Sequence, residues 1–476
     1  MESRIIGRDG EKQILKRLLD SREPEFLAVY GRRRVGKTFL IKEYFEGKGL
    51  LFELTGEKDA PLRDQLQNFA FALGRIFPDQ PISGVRSWRD AFQLLANTVD
   101  AQCGNSRVII FLDELPWLAS PRSRLLQALD HFWNSWASRK RNLLVVVCGS
   151  AASWMIGKIL HSKGGLYNRV TAHIRLLPFT LAETERYLQS RQVHLGRKDI
   201  LELTMCLGGI PHYLRQIERG ASVAQSVDRL CFAKDGLLRD EFKRLFASLF
   251  AKSELHVSII RTLATKRRAT TRNELLQAIG ETSGGGISRA LSELTESNFV
   301  VQEQSFGKSI RESLYRLTDE YSLFYLTWIE KRERDTEGFW ASQQNGRSWQ
   351  AWAGFSFESL CLKHVRQIKH ALAIGGVATV QSGWHTRGDG ERAQIDLVLD
   401  RADNCINLCE MKFSVHEFTI SKAYAETLRR KLYLFQQSTK TRKNIFVTFV
   451  TTFGCKHNPY FSELVSNELT MDCLFG

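Results

Sequence analysis

Eight consecutive residues, Gly31-Arg32-Arg33-Arg34-Val35-Gly36-Lys37-Thr38, have the types and spacing needed to grip a triphosphate. Glycines at 31 and 36 let the backbone curl so that N–H groups of residues 31–39, Phe39 included, point at phosphate oxygens. Lys37 can reach the β- and γ-phosphates and Thr38 can offer its hydroxyl to Mg²⁺; the helix expected to follow aims its positive end at the same anion. The plain alternative is a glycine-rich turn that happens to carry a lysine. Hydrolysis of ATP also needs a second strand that ends in carboxylates beside the loop. Residues 107–114, Arg-Val-Ile-Ile-Phe-Leu-Asp-Glu, supply the pattern. Asp113 falls at the carboxyl end of a strand buried on both faces, where it would hold Mg²⁺ through water, and Glu114 would orient the attacking water. Taken alone, such an acid pair also starts helices. Ser150, after the apolar run 143–148, reads equally as a γ-phosphate sensor and as a helix N-cap. Arg169 could stabilise charge on the transferred phosphate in its own or a neighbouring subunit, which admits a homo-oligomer; a solvated surface arginine reads nearly as well.

A second constellation lies towards the carboxyl end. The runs 394–400 and 406–412 read as paired strands across the polar turn 401–404. Alternation puts Glu410 and Lys412 on one face, and Asp396 on the neighbouring strand can share it. Two carboxylates can hold a divalent cation that polarises a phosphodiester and activates water, while the lysine stabilises charge developing on phosphorus or positions the nucleophile. That is nuclease chemistry. The competing reading is a Glu410–Lys412 surface pair beside a lone strand aspartate. The next helix, 421–437, carries Lys422, Arg429, Arg430 and Lys431 with Tyr424 and Tyr433, which suits a phosphate backbone and, as well, an amphipathic packing face.

The elements that must position these groups alternate. Candidate strands at 26–30, 50–54, 108–112, 143–148 and 173–178 are separated by helical stretches such as 62–77, 88–99 and 124–138, as a parallel sheet with crossover helices requires. A helical run from 181 to about 249 follows, broken at Gly208-Gly209-Ile210-Pro211, and suits a lid on the nucleotide domain. From about 254 come three short helices (256–265, 272–279, 287–297) and two strands (299–304, 313–317), the order of a winged helix-turn-helix. Ser283 precedes its third helix, which carries Ser288, Arg289, Ser292 and Glu293, and Lys308 and Arg311 fall in its wing. Such units serve as spacers or docks as often as they bind DNA. The expected segments are therefore a core at 1–180, a lid at 181–250, a winged helix at 251–318, a linker at 319–348 and a last domain at 349–476. The fold class is α/β: a parallel sheet of the P-loop NTPase kind with a helical lid, a winged helix-turn-helix and a C-terminal restriction-endonuclease-like α/β domain.

Several motifs in order carry a more specific resemblance. Ile6-Gly7-Arg8-Asp9-Gly10-Glu11, the loop at 31–38, Leu112-Asp113-Glu114, Leu166-Tyr167-Asn168-Arg169 and Gly209-Ile210-Pro211 together resemble the archaeal-type ATPase family, among the signal-transduction ATPases related to AAA+ proteins. The likeness covers about residues 1–235. It implies that Gly7 and Arg8 lie near the adenine or ribose and that Pro211 packs against the base. Asp396 followed by Glu410-Met411-Lys412 resembles the PD-(D/E)XK nuclease superfamily over about residues 349–476, with Ile395 in place of the naming proline. That likeness implies that Glu358, in the helix preceding the strands, completes the metal site. Domains of this kind follow archaeal-type ATPase and winged-helix segments in many prokaryotic proteins.

Lys and Arg together number 67 against 52 Asp and Glu, a net charge of +15 spread along the chain, which fits contact with a polyanion such as DNA or RNA, though basic solvated faces remain the bland account. The nine cysteines include no C-x-x-C pair, which argues against a zinc site and for reduced core thiols of a cytosolic protein. The N-terminus lacks the apolar core of a signal peptide, and the longest uncharged run, 143–157, is too short to span a bilayer. The expectation is a cytoplasmic ATPase using ATP and Mg²⁺, whose nucleotide state controls a winged-helix unit and a nuclease-like domain acting on nucleic acid, DNA foremost, with no membrane partner. The main rival is an ATP-gated regulatory protein whose C-terminal domain keeps the fold but only docks DNA or a protein; no motor motif supports a helicase.

Overall fold

Five apolar runs in the first part of the chain become β1 (Glu25–Tyr30), β2 (Leu50–Thr55), β3 (Val108–Asp113), β4 (Leu143–Gly149) and β5 (Ala172–Arg175). In this computed structural model they pair in parallel in the order β2-β3-β4-β1-β5. The structure describes residues 4–161, 165–250, 252–280, 284–307, 313–332, 338–386 and 393–476. Ser283, Lys308 and Arg311 lie outside them.

Every residue of β3 and β4 is buried, because helices cover both faces and leave no polar alternation. On one face Phe26, Ala28, Ile110, Leu112, Val145 and Val147 meet Phe69, Trp88, Phe92, Phe132 and Trp133 from the helices Leu62–Ile76, Trp88–Gln102 and Leu125–Ser135. The alternate residues Leu27, Val29, Ile109, Phe111, Leu144 and Val146 point the other way and are buried too. Arg107 ties the end of the helix Asp9–Asp20 to the start of β3 by donating to the carbonyls of Leu18 (2.6 Å) and Ser21 (3.2 Å). The fifth strand is shorter than the run 173–178 suggests. Leu176 still donates to the Tyr30 carbonyl at 2.8 Å, but Pro178 has no N–H with which to extend the ladder.

The chain divides into two compact units, Met1–Pro178 and Phe179–Gly476. The helices expected as a lid, among them Leu181–Ser190, Arg197–Leu207 and Glu241–Leu249, belong to the second unit. In the stretch 319–348, expected as a linker, the described residues Tyr321, Phe324, Trp328 and Trp340 are buried in that unit. Phe324, Trp328 and Trp340 are buried and stack edge-on with Trp352 at 5.6, 6.3 and 5.4 Å, and the Asp228 carboxylate accepts the backbone N–H groups of Trp340 (2.7 Å) and Ala341 (3.1 Å). Aromatic rings in a short charged stretch were the cue: they bury too much apolar area to stay in water.

Helices Glu254–Lys266, Arg272–Ile279 and Gly284–Glu296 pack with β6 (Thr270–Thr271), β7 (Val300–Glu303) and β8 (Leu314–Leu317), an antiparallel sheet ordered β6-β8-β7. The last part holds a five-stranded sheet, β13-β12-β11-β10-β9, made of β9 (Thr379–His385), β10 (Gln394–Arg401), β11 (Cys405–Lys412), β12 (Asn444–Thr451) and β13 (Asn467–Thr470). Strands β9, β10 and β11 are antiparallel; β11, β12 and β13 are parallel. The helix Lys422–Thr439 covers one face through Phe435, which packs on Trp384, Ile395, Ile406 and Leu408. All nine cysteines are free. Among the described residues, no helix is long and apolar enough to cross a membrane.

His364 joins two helices of this second unit. Where the helix Arg347–Lys363 ends, Nδ1 of His364 donates to the Leu360 carbonyl at 2.8 Å, and Nε2 accepts the Leu181 N–H at 3.2 Å. A protonated ring would lose that acceptor. Burial lowers its pKa from 6.5 to about 4, so over this interval the unfolded chain takes up a proton that the folded chain refuses. The resulting stability is complete above the ordinary imidazole value and is lost as pH falls, by roughly 3 kcal/mol in all. Urea unfolding at about pH 7 and about pH 4.5 should register the loss, and His364→Gln, whose amide keeps both contacts without titrating, should remove most of it. The same acid slope in that variant would exclude His364 as its source.

Candidate nucleotide and acidic sites

The first site forms where β1, β3 and β4 end together. Because β4 lies between β1 and β3, Ser150 stands between the phosphate-binding loop and the acidic strand end. Gly31 has φ 149°, and a Cβ there would meet the Leu176 carbonyl oxygen at 2.3 Å, so only glycine lets β1 turn into the loop beside β5. Lys37 is buried and donates to the carbonyls of Gly31 (2.9 Å) and Arg32 (3.0 Å), which holds its ammonium over the loop. The loop and the acidic strand touch: Thr38 Oγ1 donates to Asp113 Oδ2 at 2.7 Å. The other Asp113 oxygen accepts the Glu114 N–H at 3.0 Å.

Glu114 has left-handed backbone angles, φ 46° and ψ 50°, a conformation that costs a non-glycine residue about 1 kcal/mol or more. The strain turns the chain from β3 into the helix Leu115–Leu118 within one residue and directs the carboxylate to β4. There Glu114 Oε2 accepts both the Ser150 N–H (3.1 Å) and the Ser150 hydroxyl (2.8 Å). Gly56 makes room for the turn, since a Cβ at 56 would lie 2.6 Å from the Glu114 carbonyl oxygen. The Ser150 hydroxyl thus engages Glu114, and Ala151 is the N-cap of the short helix Ala152–Met155.

Arg8, at φ 58°, is buried and donates to the Val35 carbonyl at 3.3 Å, which brings Gly7 and Arg8 to the loop. The Arg33 guanidinium lies 5.6 Å from the Trp117 ring centre, Arg34 takes a left-handed φ of 70°, and Phe39 is exposed. Arg169 ends a single helical turn before β5; among the described residues its buried Nε has no hydrogen-bond partner. Pro211 begins the helix Pro211–Leu214 of the second unit. The donor set fits Mg²⁺, a hard cation that takes few protein ligands: one hydroxyl and one carboxylate oxygen, with phosphate oxygens from the nucleotide.

The second site lies at the open end of the β10–β11 ladder. The pairing with β9 shifts register between Ile395 and Val398, and this irregularity turns Asp396. The last β10–β11 partners are Leu397 and Cys409; beyond them Asp396 Oδ2 accepts the Met411 N–H at 3.0 Å. Glu410 and Lys412 share a face, with Lys412 Nζ 3.2 Å from Glu410 Oε2 and 3.9 Å from Asp396 Oδ2. Glu410 is buried rather than a surface group. Lys431 Nζ donates to its Oε1 at 2.6 Å and the Tyr424 hydroxyl to its Oε2 at 2.9 Å.

Burial, then Glu410, pushes the Asp396 carboxyl up. Burial would raise Glu410 as well, but Lys412 and Lys431 hold it below the usual range. Lys412 is shifted up, against burial, by Asp396 and Glu410. Glu358 is engaged by a cation of its own. Its Oε1 accepts from Arg316 Nη1 at 2.8 Å, and burial followed by the Asp396 charge raises its carboxyl to about 8. Among the described residues no three His, Cys, Asp or Glu side chains gather to hold a metal. The residues fit a hard cation in part: Asp396 and Glu410 are the oxygen donors, and Lys412 stands between them.

Sequence reading placed Lys431 and Tyr424 on a helix without assigning either to this cluster. Their spacing of two helical turns, which sets both on one side, was the available signal. Arg316 had one too, since in the strand Leu314-Tyr315-Arg316-Leu317 it shares the parity of buried Leu314.

A parallel sheet with this loop and acidic strand end is a P-loop ATPase fold. A family model described as an ATPase domain predominantly from Archaea matches residues 6–217. An uncharacterized protein of Methanocaldococcus jannaschii, MJECL04, is 22% identical over 431 residues, covering 90% of this chain and 91% of its own. A second protein of that organism, named as an uncharacterized ATP-binding protein, is 42% identical over 44 residues, 9% of this chain and 75% of its own. Among solved structures, the Walker-type ATPase PABY2304 of Pyrococcus abyssi is similar with a TM-score of 0.50 and 18% identity, covering 68% of this chain and 97% of that one. That similarity is one of fold.

Proposed function

We propose that this chain is a Mg²⁺-dependent ATPase whose nucleotide state governs a winged-helix unit, residues 251–318, and a PD-(D/E)XK-like nuclease domain, residues 349–476, acting on nucleic acid, with DNA as the substrate class. The observation that carries the ATPase half is the 2.7 Å contact from Thr38 to Asp113, which joins the triphosphate grip to the acidic strand end. The loop N–H groups and Lys37 bind and orient the phosphates. Mg²⁺, when bound, neutralises charge on them. Glu114, held by Ser150, takes a proton from the attacking water, and Arg169 answers charge on the transferred group, from its own or a neighbouring subunit. Free buried thiols fit a reducing, cytoplasmic setting.

Lys37→Ala is expected to abolish binding of a fluorescent ATP analogue and phosphate release, both of which should need Mg²⁺ in the parent protein. Full affinity and turnover in that variant would remove the ATPase half.

In the C-terminal domain Asp396 and Glu410 would hold a divalent ion, which supplies phosphodiester polarisation, and Lys412 would stabilise charge on phosphorus. One observation favours the second reading, an ATP-gated docking protein: both Glu410 oxygens are already engaged, by Lys431 and by Tyr424. Metal-dependent cutting separates the two, because a docking domain gives none.

A further inference from the structure

Arg316 belongs to β8 of the three-helix unit, yet its guanidinium also reaches an acid on the helix Arg347–Lys363. It is 4% exposed, donates through Nη1 to Glu358 at 2.8 Å and through Nε to Glu303 at 3.0 Å, and its Nη2 also reaches Glu303. A cavity of about 730 Å³ opens between the two parts of this unit, with Arg316, Glu358 and Asp396 in its wall. Arg268, also in the wall, is paired to Glu274 at 3.0 Å. Among the described wall residues both arginines are therefore paired with carboxylates, and Asp396 adds a further acid.

The geometry points to Arg316 as a built-in cation that occupies Glu358 beside Asp396, so that a divalent ion and the β7–β8 ribbon compete for the same carboxylate. This rests on reading Asp396, Glu410 and Lys412 as a metal-dependent site. Pulling Arg316 out with nothing in its place would leave the partly buried Glu303 and Glu358 without their cation, which is unfavourable. Exchange of one cation for another avoids that cost. By linkage, whatever moves the ribbon off Glu358 tightens metal binding, and metal binding loosens the ribbon to the same degree. Arg316 is thus a positioning residue: it acts on the reaction through Glu358.

The test is Mn²⁺ titration of the full nucleotide-free chain by calorimetry, with Asp396→Asn defining the uptake that belongs to this site. Arg316→Met should bind Mn²⁺ about tenfold tighter than the parent. Arg316→Lys keeps a buried charge, and therefore the fold, but a single ammonium cannot bridge Glu303 and Glu358 as the guanidinium fork does, so it should fall between the two. In the parent, Mn²⁺ should raise amide exchange across Leu314–Leu317, and in Asp396→Asn it should not. Uptake that depends on Asp396 but is equal in all Arg316 variants, with no change in ribbon exchange, overturns the competition and leaves the metal site standing. No uptake attributable to Asp396 in any of these proteins overturns both.

Discussion

Glu114→Gln should cut ATP turnover by about 10²- to 10⁴-fold and leave ATP affinity within a few-fold of the parent. The amide oxygen of the variant can still accept the two bonds from Ser150, at 3.1 and 2.8 Å in the parent, so the strained turn at 114 stays supplied with its partners. What the substitution removes is basicity. Affinity is preserved because the triphosphate is held by the loop N–H groups and Lys37, none of which touches Glu114. The contrast with Lys37→Ala is the informative part: one variant should bind and not turn over, the other should not bind. Steady-state phosphate release together with an equilibrium affinity separates them. A turnover within about tenfold of the parent in Glu114→Gln would transfer the base role to another group and make the left-handed backbone at 114 a feature of the turn alone.

The nucleotide site was legible because its signals are local. An apolar run ending in Gly31 through Thr38, and another ending in Asp113 and Glu114, each state a strand and what sits at its tip; β1 and β3 need only be brought into one parallel sheet for the tips to converge. The same logic found Glu410 and Lys412, two apart on one strand. Groups that reach a site from another element were not legible in that way. Arg316 arrives from β8, 42 positions before Glu358 in the chain, and no local pattern states which carboxylate a buried arginine will meet. Glu358 was expected with Asp396 and Glu410; that a guanidinium on the opposing ribbon also pairs with it was not foreseen. In the stretch 319–348, expected as a linker, Phe324, Trp328 and Trp340 are buried around Trp352, and which rings they meet is likewise not stated by any local pattern.

Glu410→Gln should abolish metal-dependent plasmid cleavage, lowering it by at least about a hundredfold, whereas Lys431→Met should lower it less. Glu410 faces Lys412, Lys431 and Tyr424 together, at 3.2, 2.6 and 2.9 Å. Its amide variant keeps the volume and can still accept from Tyr424, but it leaves two ammonium groups facing a neutral oxygen, so the donor charge for a divalent ion falls by half. Lys431 only neutralises Glu410 from the helix side, and removing it frees an oxygen that a metal can use. The two substitutions therefore separate a metal-binding acid from a structural ion pair: in a purely structural network, breaking either end should have similar consequences, since each leaves a buried charge without its partner. Thermal unfolding of both variants supplies the control. Equal loss of stability together with equal loss of cutting would assign Glu410 to the scaffold, while cutting lost in Glu410→Gln and largely kept in Lys431→Met would assign it to the chemistry.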